Sequence, residues 1–393
     1  MTKNPSPTRK KIIRTASLSW SLYAFLGGQL KFLNQYYEMM TIGSYNKEVE
    51  PLVEKEGIRS VYIPIERTIS PIKDLVSIYR LYRTFKKEKP FLVHSMTPKA
   101  GLVSMLAAYL ARVPKRAHSF TGLIFPTKTG MMRKVLITTD RLICRFATHI
   151  FPEGQGVKKD LEQHKVTSKP LKVIANGSIR GLDLEHFDPK MYGSKDNLQL
   201  RADYGVLPGD FVFVFVGRLV NDKGLNELVV AFNKVSEQHP DAKLLLVGSD
   251  EGESDFLPKA TWNVIKSNKQ IIEAGHQWDV RPFLAASDSF VFPSYREGFP
   301  NVVLEAGAMG LPSIVTDING SNEIIIENFN GTIIPSQNSI ALENAMRIFL
   351  KQRDMVKKMA TNCRKHIAEK YPREYVWQEV LNEYRKIEME DLR

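Results

Sequence analysis

Two carboxylates eight residues apart, Glu297 and Glu305, and two cations five apart, Arg218 and Lys223, have the types and spacing to do chemistry. Arginine offers a planar fork of donors and lysine a compact point charge, so together they suit a diphosphate. Both cations stand in Gly217-Arg218-Leu219-Val220-Asn221-Asp222-Lys223-Gly224, where the glycines let backbone N–H groups approach an anion. Taken alone, that loop is equally an ordinary surface turn with solvated cations. The carboxylates lie within residues 289–312, SFVFPSYREGFPNVVLEAGAMGLP. Two acids could also be the acid and nucleophile of a glycoside hydrolase. A diphosphate site beside them favours transfer from an activated sugar instead.

The elements that position these groups are legible in the same stretches. Residues 290–292 form an apolar run expected to be a buried strand, broken at Pro293-Ser294 and followed by the charged turn Arg296-Glu297-Gly298. A helix is expected from Pro300, where a first-turn proline forfeits no hydrogen bond, to about Met309, stopped by Gly310 and Pro312. Glu297 then lies in a loop above the strand's carboxyl end and Glu305 in the helix's second turn. Ligands of open α/β sheets gather at that end, and a helix N-terminus there favours an anion.

Residues 211–216, apolar on both faces, predict a central parallel strand leading into the cation loop. Further strands are expected at 243–247, 270–274 and 313–316. In the first half, strands are expected from Ile12 and at 39–42, 61–63, 91–94, 116–120, 149–151 and 172–174. Helices are expected at 29–37, 74–88, 102–111 and 131–148. In 74–88, Leu75, Ile78, Tyr79, Tyr82 and Phe85 recur near a 3.6-residue period and predict a core-facing stripe. Arg80, Arg83, Lys86 and Lys87 fall on the other face. The alternation predicts the α/β class, with two doubly wound, Rossmann-like domains at 1–190 and 191–370 and a linker from 176 to about 196.

A chain of 393 residues exceeds one ordinary core, and 43% apolar with 25% charged residues is a globular composition. Cys144 and Cys363 lack metal-ligand spacing and read as packing residues of a reduced, cytosolic protein. The basic residues before the apolar stretch near the N-terminus are read as the approach to a first strand and loop, not a signal peptide. No run of about 18 apolar residues predicts a membrane span. The net charge of +12 is uneven: residues 1–190 carry 32 Lys and Arg against 15 Asp and Glu, and residues 191–393 carry 23 against 28. The first half is thus the side expected to face an anionic partner.

The second half closely resembles the retaining, GT-B-fold glycosyltransferases of family 4. The resemblance is carried by Gly217-Arg218-Leu219 with Lys223-Gly224, by Leu246-Val247-Gly248, and by Pro293-Ser294-Tyr295-Arg296-Glu297-Gly298-Phe299-Pro300 with Glu305-Ala306 and Gly310-Leu311-Pro312. The first half is similar to the capsule and exopolysaccharide branch, through Thr97-Pro98-Lys99-Ala100-Gly101, Thr121-Gly122-Leu123 and Asn176-Gly177-Ser178 leading to Asp183. Nearly the whole chain is covered. The resemblance implies an acceptor-binding first domain, a donor-binding second domain, a cleft between them, and a C-terminal helix (371–393) packing back on the first.

Residue roles follow from the same resemblance. Arg218 and Lys223 are expected to hold the donor's diphosphate, Glu305 the ribose hydroxyls and Glu297 the transferred sugar. Gly217, Gly298, Phe299, Pro300 and Asn301 are expected to complete the phosphate cradle, with Gly28 facing the same diphosphate. Lys99, His118 and Thr121 are expected on the acceptor side, although Thr121 stands where many relatives carry a histidine. No metal or cofactor is implied, and no Asp-x-Asp triplet occurs.

The expected enzyme moves a hexose or N-acetylhexosamine from a nucleotide sugar, most simply a UDP-sugar, to a polyprenyl-diphosphate-linked glycan. The pathway is bacterial capsule, exopolysaccharide or O-antigen assembly, with the protein cytoplasmic and peripheral on the anionic inner membrane surface. A sugar-nucleotide 2-epimerase of the same fold is one alternative, and product formed without acceptor would favour it. A basic nucleic-acid-binding protein is another, but the chain carries no recognisable RNA- or DNA-binding module, so no nucleic-acid partner is expected.

Overall fold

Six successive residues of Lys11–Leu18 (β1), from Ile12 to Ser17, are out of water, as in a strand covered on both sheet faces. The computed structural model describes residues 9–66, 68, 70–250 and 255–390. In it β1 joins Glu38–Ser44 (β2), Arg59–Tyr62 (β3), Leu92–Met96 (β4), Lys115–Phe120 (β5) and His149–Pro152 (β6) in a sheet of order β3-β2-β1-β4-β5-β6. Every described pairing in it is parallel. Leu81, Phe85, Val103, Ala107 and Ile143, from helices Pro71–Glu88, Pro98–Leu110 and Gly130–Phe146, fill one side. Leu22, Leu26, Leu30, Leu381 and Tyr384 fill the other.

A second parallel sheet is built from Phe211–Val216 (β7), Ala242–Val247 (β8), Ile271–Gly275 (β9), Ser289–Phe292 (β10), Ser313–Thr316 (β11) and Gly331–Ile334 (β12). Its order is β12-β11-β10-β7-β8-β9. The FVFVFV run of β7 is buried at every position. The chain divides into two compact units, one of residues up to Gly181 together with those from Glu374 on, the other Leu182–Arg373.

Several expectations need correction. The first unit ends at Gly181, not at residue 190, because the residues from Leu182 on belong to the second core. Leu182 is fully buried there, its N–H donates to Tyr371 O at 2.8 Å and its carbonyl accepts Arg373 N at 3.0 Å. Residues 172–174 are not a strand, and only an isolated bridge from Leu171 to Ile150 forms beside them. The stretch after β1 is a helix, Ser19–Leu26, rather than a loop, because Leu22, Tyr23 and Leu26 bury together on one side. The last helix is Arg373–Met389, and its Leu381, Tyr384 and Ile387 lie in the first unit's core. Residues 391–393 of the expected helix lie outside the described ones.

The most consequential difference concerns Pro71–Glu88. Its buried line is Ser77, Leu81 and Phe85, with Ile78 and Tyr82 half-buried. Leu75 and Tyr79, expected inside, are exposed. A polar residue holds the core position because its hydroxyl is satisfied there: Ser77 Oγ donates to Pro64 O at 2.6 Å and Lys73 O at 2.8 Å. Both cysteines are buried. Among the described residues no helix is long and apolar enough to cross a membrane.

Candidate active site

The second sheet reverses direction between β7 and β10, which are neighbours although β8 and β9 intervene in sequence. Loops leaving such a pair diverge and open a crevice at the strands' carboxyl ends, where ligands of open α/β sheets bind. Those two loops carry the cations and the first glutamate.

After β7 the chain passes Gly217 and the exposed Arg218, buries Leu219 and Val220, and makes a short 3-10 turn over Asn221–Lys223. Gly224 closes the turn at φ 72°, and a Cβ there would stand 2.0 Å from the carbonyl oxygen of Pro293. Only glycine permits that approach of the two loops. From the β10 side, Tyr295 N–H donates to Asp222 O at 2.9 Å. Arg296 donates to Asp222 Oδ2 from Nε at 3.1 Å and Nη2 at 2.9 Å. Tyr295 also donates its phenol to Glu227 Oε2 at 2.6 Å, and burial with that carboxylate raises the phenol's pKa.

Within this clasp Lys223 Nζ is ion-paired with Glu297 Oε1. The same oxygen accepts Ser294 Oγ at 2.9 Å, and the Lys223 ammonium lies 5.3 Å from the Phe292 ring centre. Ser294 is itself buried and held from behind by Thr316 Oγ1, which donates to its carbonyl at 2.5 Å. Two residues 74 positions apart in sequence thus meet as a rigidly framed pair.

The helix after this loop is Asn301–Ala308, one residue shorter at its start than expected, with Pro300 at its N-cap and no side chain capping its first turn. Its N-terminal N–H groups and dipole remain the anion-favouring end of this loop. Gly298, Phe299 and Pro300 are buried, Asn301 is half-buried at the first helical position, and Glu305 is buried in the second turn. The Phe299 ring packs 5.5 Å from that of Tyr371, so this residue presents backbone rather than ring to a ligand.

In the first unit the expected residues separate. The Gly28 N–H donates to Glu56 Oε1 at 2.6 Å, and a Cβ on Gly28 would meet the Trp377 ring at 2.5 Å. A carboxylate and an indole are thus the neighbours this glycine has within its own unit. His118 points inward from β5, bonded through Nδ1 to Ser95 Oγ at 2.8 Å and 4.6 Å edge-on to Phe120. Burial drives its pKa down to about 3, so it is a neutral core residue and not an acceptor-side base. Thr121, directly after β5, is half-buried. Lys99, the second residue of the helix after β4, is ion-paired with Asp74. Among the described residues no group of three or more His, Cys, Asp or Glu could hold a metal ion.

Residues 196–366 match the profile described as glycosyl transferases group 1, and residues 40–178 match glycosyltransferase family 4. The chain is 30% identical, over 84% of its length and 85% of the other, to the UDP-Gal:alpha-D-GlcNAc-diphosphoundecaprenol alpha-1,3-galactosyltransferase of Escherichia coli. It belongs to glycosyltransferase family 4. Within that family it falls in the capsular branch, being 29% identical to the capsular polysaccharide biosynthesis glycosyltransferase CapM of Staphylococcus aureus over 95% of this chain and 97% of that one. HepE of Anabaena, solved with UDP-glucose, superposes on the glycosyltransferase with a TM-score of 0.79 at 20% identity, covering 96% of this chain and 100% of that chain. The fold is GT-B.

Sequence reasoning missed Ser294, the Asp222–Arg296 clasp and the Tyr295–Glu227 bond. Ser294, Tyr295 and Arg296 stand inside the motif around Glu297, but nothing in their spacing announces partners some 70 residues away.

Proposed function

We propose that this glycosyltransferase moves a hexose or N-acetylhexosamine from a UDP-sugar, with retention of configuration, to a polyprenyl-diphosphate-linked glycan. The pathway is capsule, exopolysaccharide or O-antigen assembly, at the anionic cytoplasmic face of the membrane. The second unit takes the donor and the first the acceptor. The observation that carries the reading is the Lys223–Glu297 pair framed by the loops after β7 and β10. It puts a diphosphate-seeking cation and a hydroxyl-seeking carboxylate side by side at a sheet's switch point. The named activities of the E. coli and S. aureus relatives support the lipid-linked acceptor and the pathway.

In the reaction the donor's diphosphate engages Arg218 and Lys223, and Lys223 exchanges Glu297 for phosphate oxygens. Glu297, released from its partner, accepts hydrogen bonds from the transferred sugar, and Glu305 accepts them from the ribose. The bond from the anomeric carbon to the phosphate oxygen breaks as that carbon becomes oxocarbenium-like. The two cations and the helix dipole neutralise the departing charge and supply what a metal supplies elsewhere. The acceptor hydroxyl bonds to the anomeric carbon on the face just vacated, and its proton passes to the phosphate oxygen. No side-chain base is needed, which agrees with the inward position of His118. The test is a panel of UDP- and GDP-sugars with a lipid-linked acceptor, the product's anomeric configuration being read by NMR. Failure to bind any nucleoside diphosphate, or an inverted product, would overturn it.

A further inference from the structure

Three neighbouring strands enter the first sheet side by side, β1 through Lys10, β4 through Pro90 and β5 through Pro114. A cavity of about 710 Å³ opens at these amino ends, lined by residues of the first unit alone. Its size is that of a small-molecule site. It lies at the opposite end of the sheet from the carboxyl ends where ligands of open α/β sheets gather. No residue assigned above to donor or acceptor lines it.

Six cations line the cavity against two carboxylates, Glu38 and Glu88. Lys11 takes both, its Nζ lying 3.1 Å from Glu38 Oε1 and 2.6 Å from Glu88 Oε2, and Arg59 adds a second cation to Glu88. Lys10 is paired with Glu388. Lys86, Lys89 and Arg112 are exposed and have no carboxylate partner among the described residues. Two of these three sit in strained backbone, Lys89 at φ 45° and Arg112 at φ 60°, in the left-handed region where a helix end usually places glycine. Both turns follow one plan, a left-handed cation and then a proline within two residues, at Lys89-Pro90 and Arg112-Val113-Pro114. The partial charge of a helix C-terminus favours a cation, but Lys86 in the last turn serves that end without leaving the helical conformation. Strain of this kind gathers where a ligand is held. Apart from Pro114, the apolar lining is buried, so the cavity offers nothing that would enter an acyl layer.

We propose that this cavity is a second anion site, which takes a soluble molecule with two or three linked phosphates on Lys86, Lys89 and Arg112. A chain of linked phosphates can meet cations from two turns at once, and each contact is a charge-assisted hydrogen bond. The site does not depend on the donor assignment in the second unit.

The test is calorimetric titration of inorganic tripolyphosphate into the full chain at low salt with excess UDP, repeated on the Arg218→Ala protein. Wild type and Arg218→Ala should bind it alike. Lys89→Gly and Arg112→Gly should each lose about tenfold in affinity, and Lys86→Gln a similar factor. The melting temperature of the two glycine variants should hold or rise, because glycine relieves the left-handed backbone while it removes the cation. ATP is the second probe: binding tighter than that of tripolyphosphate identifies a nucleoside polyphosphate as the ligand, and equal or weaker binding an inorganic one. Glycine variants that melt lower and bind tripolyphosphate like wild type would reduce the two cations to helix caps and overturn the proposal. Equal losses from the control Lys134→Gln/Arg145→Gln would mean diffuse attraction to a basic chain and overturn it as well. So would binding to phosphatidylglycerol vesicles by a protein that takes up neither soluble phosphate.

Discussion

Arg296 reaches back across 74 residues to place two guanidinium hydrogen bonds on Asp222 Oδ2, and so locks the loop after β10 onto the loop after β7. Each loop contributes one member of the Lys223–Glu297 pair, so the clasp sets their separation. Both partners are partly exposed, and the clasp should add only about 0.5 kcal/mol to stability. Its effect should appear in turnover: Arg296→Met or Asp222→Asn should lower kcat by about tenfold with a melting temperature close to wild type. The exchange Asp222→Arg/Arg296→Asp should recover part of that loss. Equal activity in all three proteins would reduce the clasp to a surface ion pair.

Because Lys223 is engaged by Glu297 before any donor arrives, the two residues should separate in their kinetics. Glu297→Gln keeps the shape but frees the ammonium for phosphate. It should leave UDP affinity unchanged or improved while kcat falls by about 10²–10³. Arg218→Ala should weaken UDP binding and turnover together. Parallel losses in the two variants would contradict the assigned roles.

Gly28 offers a test of fold against ligand. At φ 78° and with its missing Cβ aimed at the Trp377 ring, Gly28→Ala should cost about 2 kcal/mol in urea unfolding. Trp377→Leu should absorb part of that cost in a double-mutant cycle. A glycine kept for the donor's diphosphate would instead lose UDP affinity at full stability.

Burial raises the Asp140 carboxyl to about 7 from an ordinary 3.8. Such a group binds its proton more tightly in the folded state, so its favourable contribution is full below about pH 4 and disappears as pH rises through 7. Asp140→Asn should equal wild type near pH 4 and gain on it by roughly 1.4 kcal/mol per pH unit until about pH 7, then level off. His94 and His118, both depressed by burial, act oppositely, stabilising above about 6.5 and losing that contribution on acidification. The difference between the two proteins at each pH is therefore the readout. A difference independent of pH would show that Asp140 does not titrate in this window.

The strand–turn–helix around Glu297 was legible because its signals are local: an apolar run, a proline break, a helix stopped at Gly310. The parallel, doubly wound character of the sheets followed from alternation. The face of Pro71–Glu88 did not, because Ser77 takes a core position by virtue of two carbonyls that periodicity cannot see. The inward turn of His118 follows from β5 pairing and from Gly101, whose missing Cβ would lie 2.4 Å from the imidazole. Both depend on neighbours distant in sequence. Lys223 is hidden from Glu297 in the sequence for the same reason: it follows a neighbouring strand of the sheet but stands 74 residues earlier in the chain.

The assignment of residues from Glu374 onward to the first unit sets an order of events during synthesis. The second unit has all its residues once Arg373 has left the ribosome. The first, although it begins earlier, waits for the helix bearing Leu381, Tyr384 and Ile387 to close its core. Arg14 is the residue most exposed by that delay, a buried cation whose guanidinium is met by Tyr384 Oη at 2.6 Å. A nascent chain released before that helix emerges would hold a finished second unit and a first one open along β1. Chaperone dependence should therefore concentrate on the half of the chain made first.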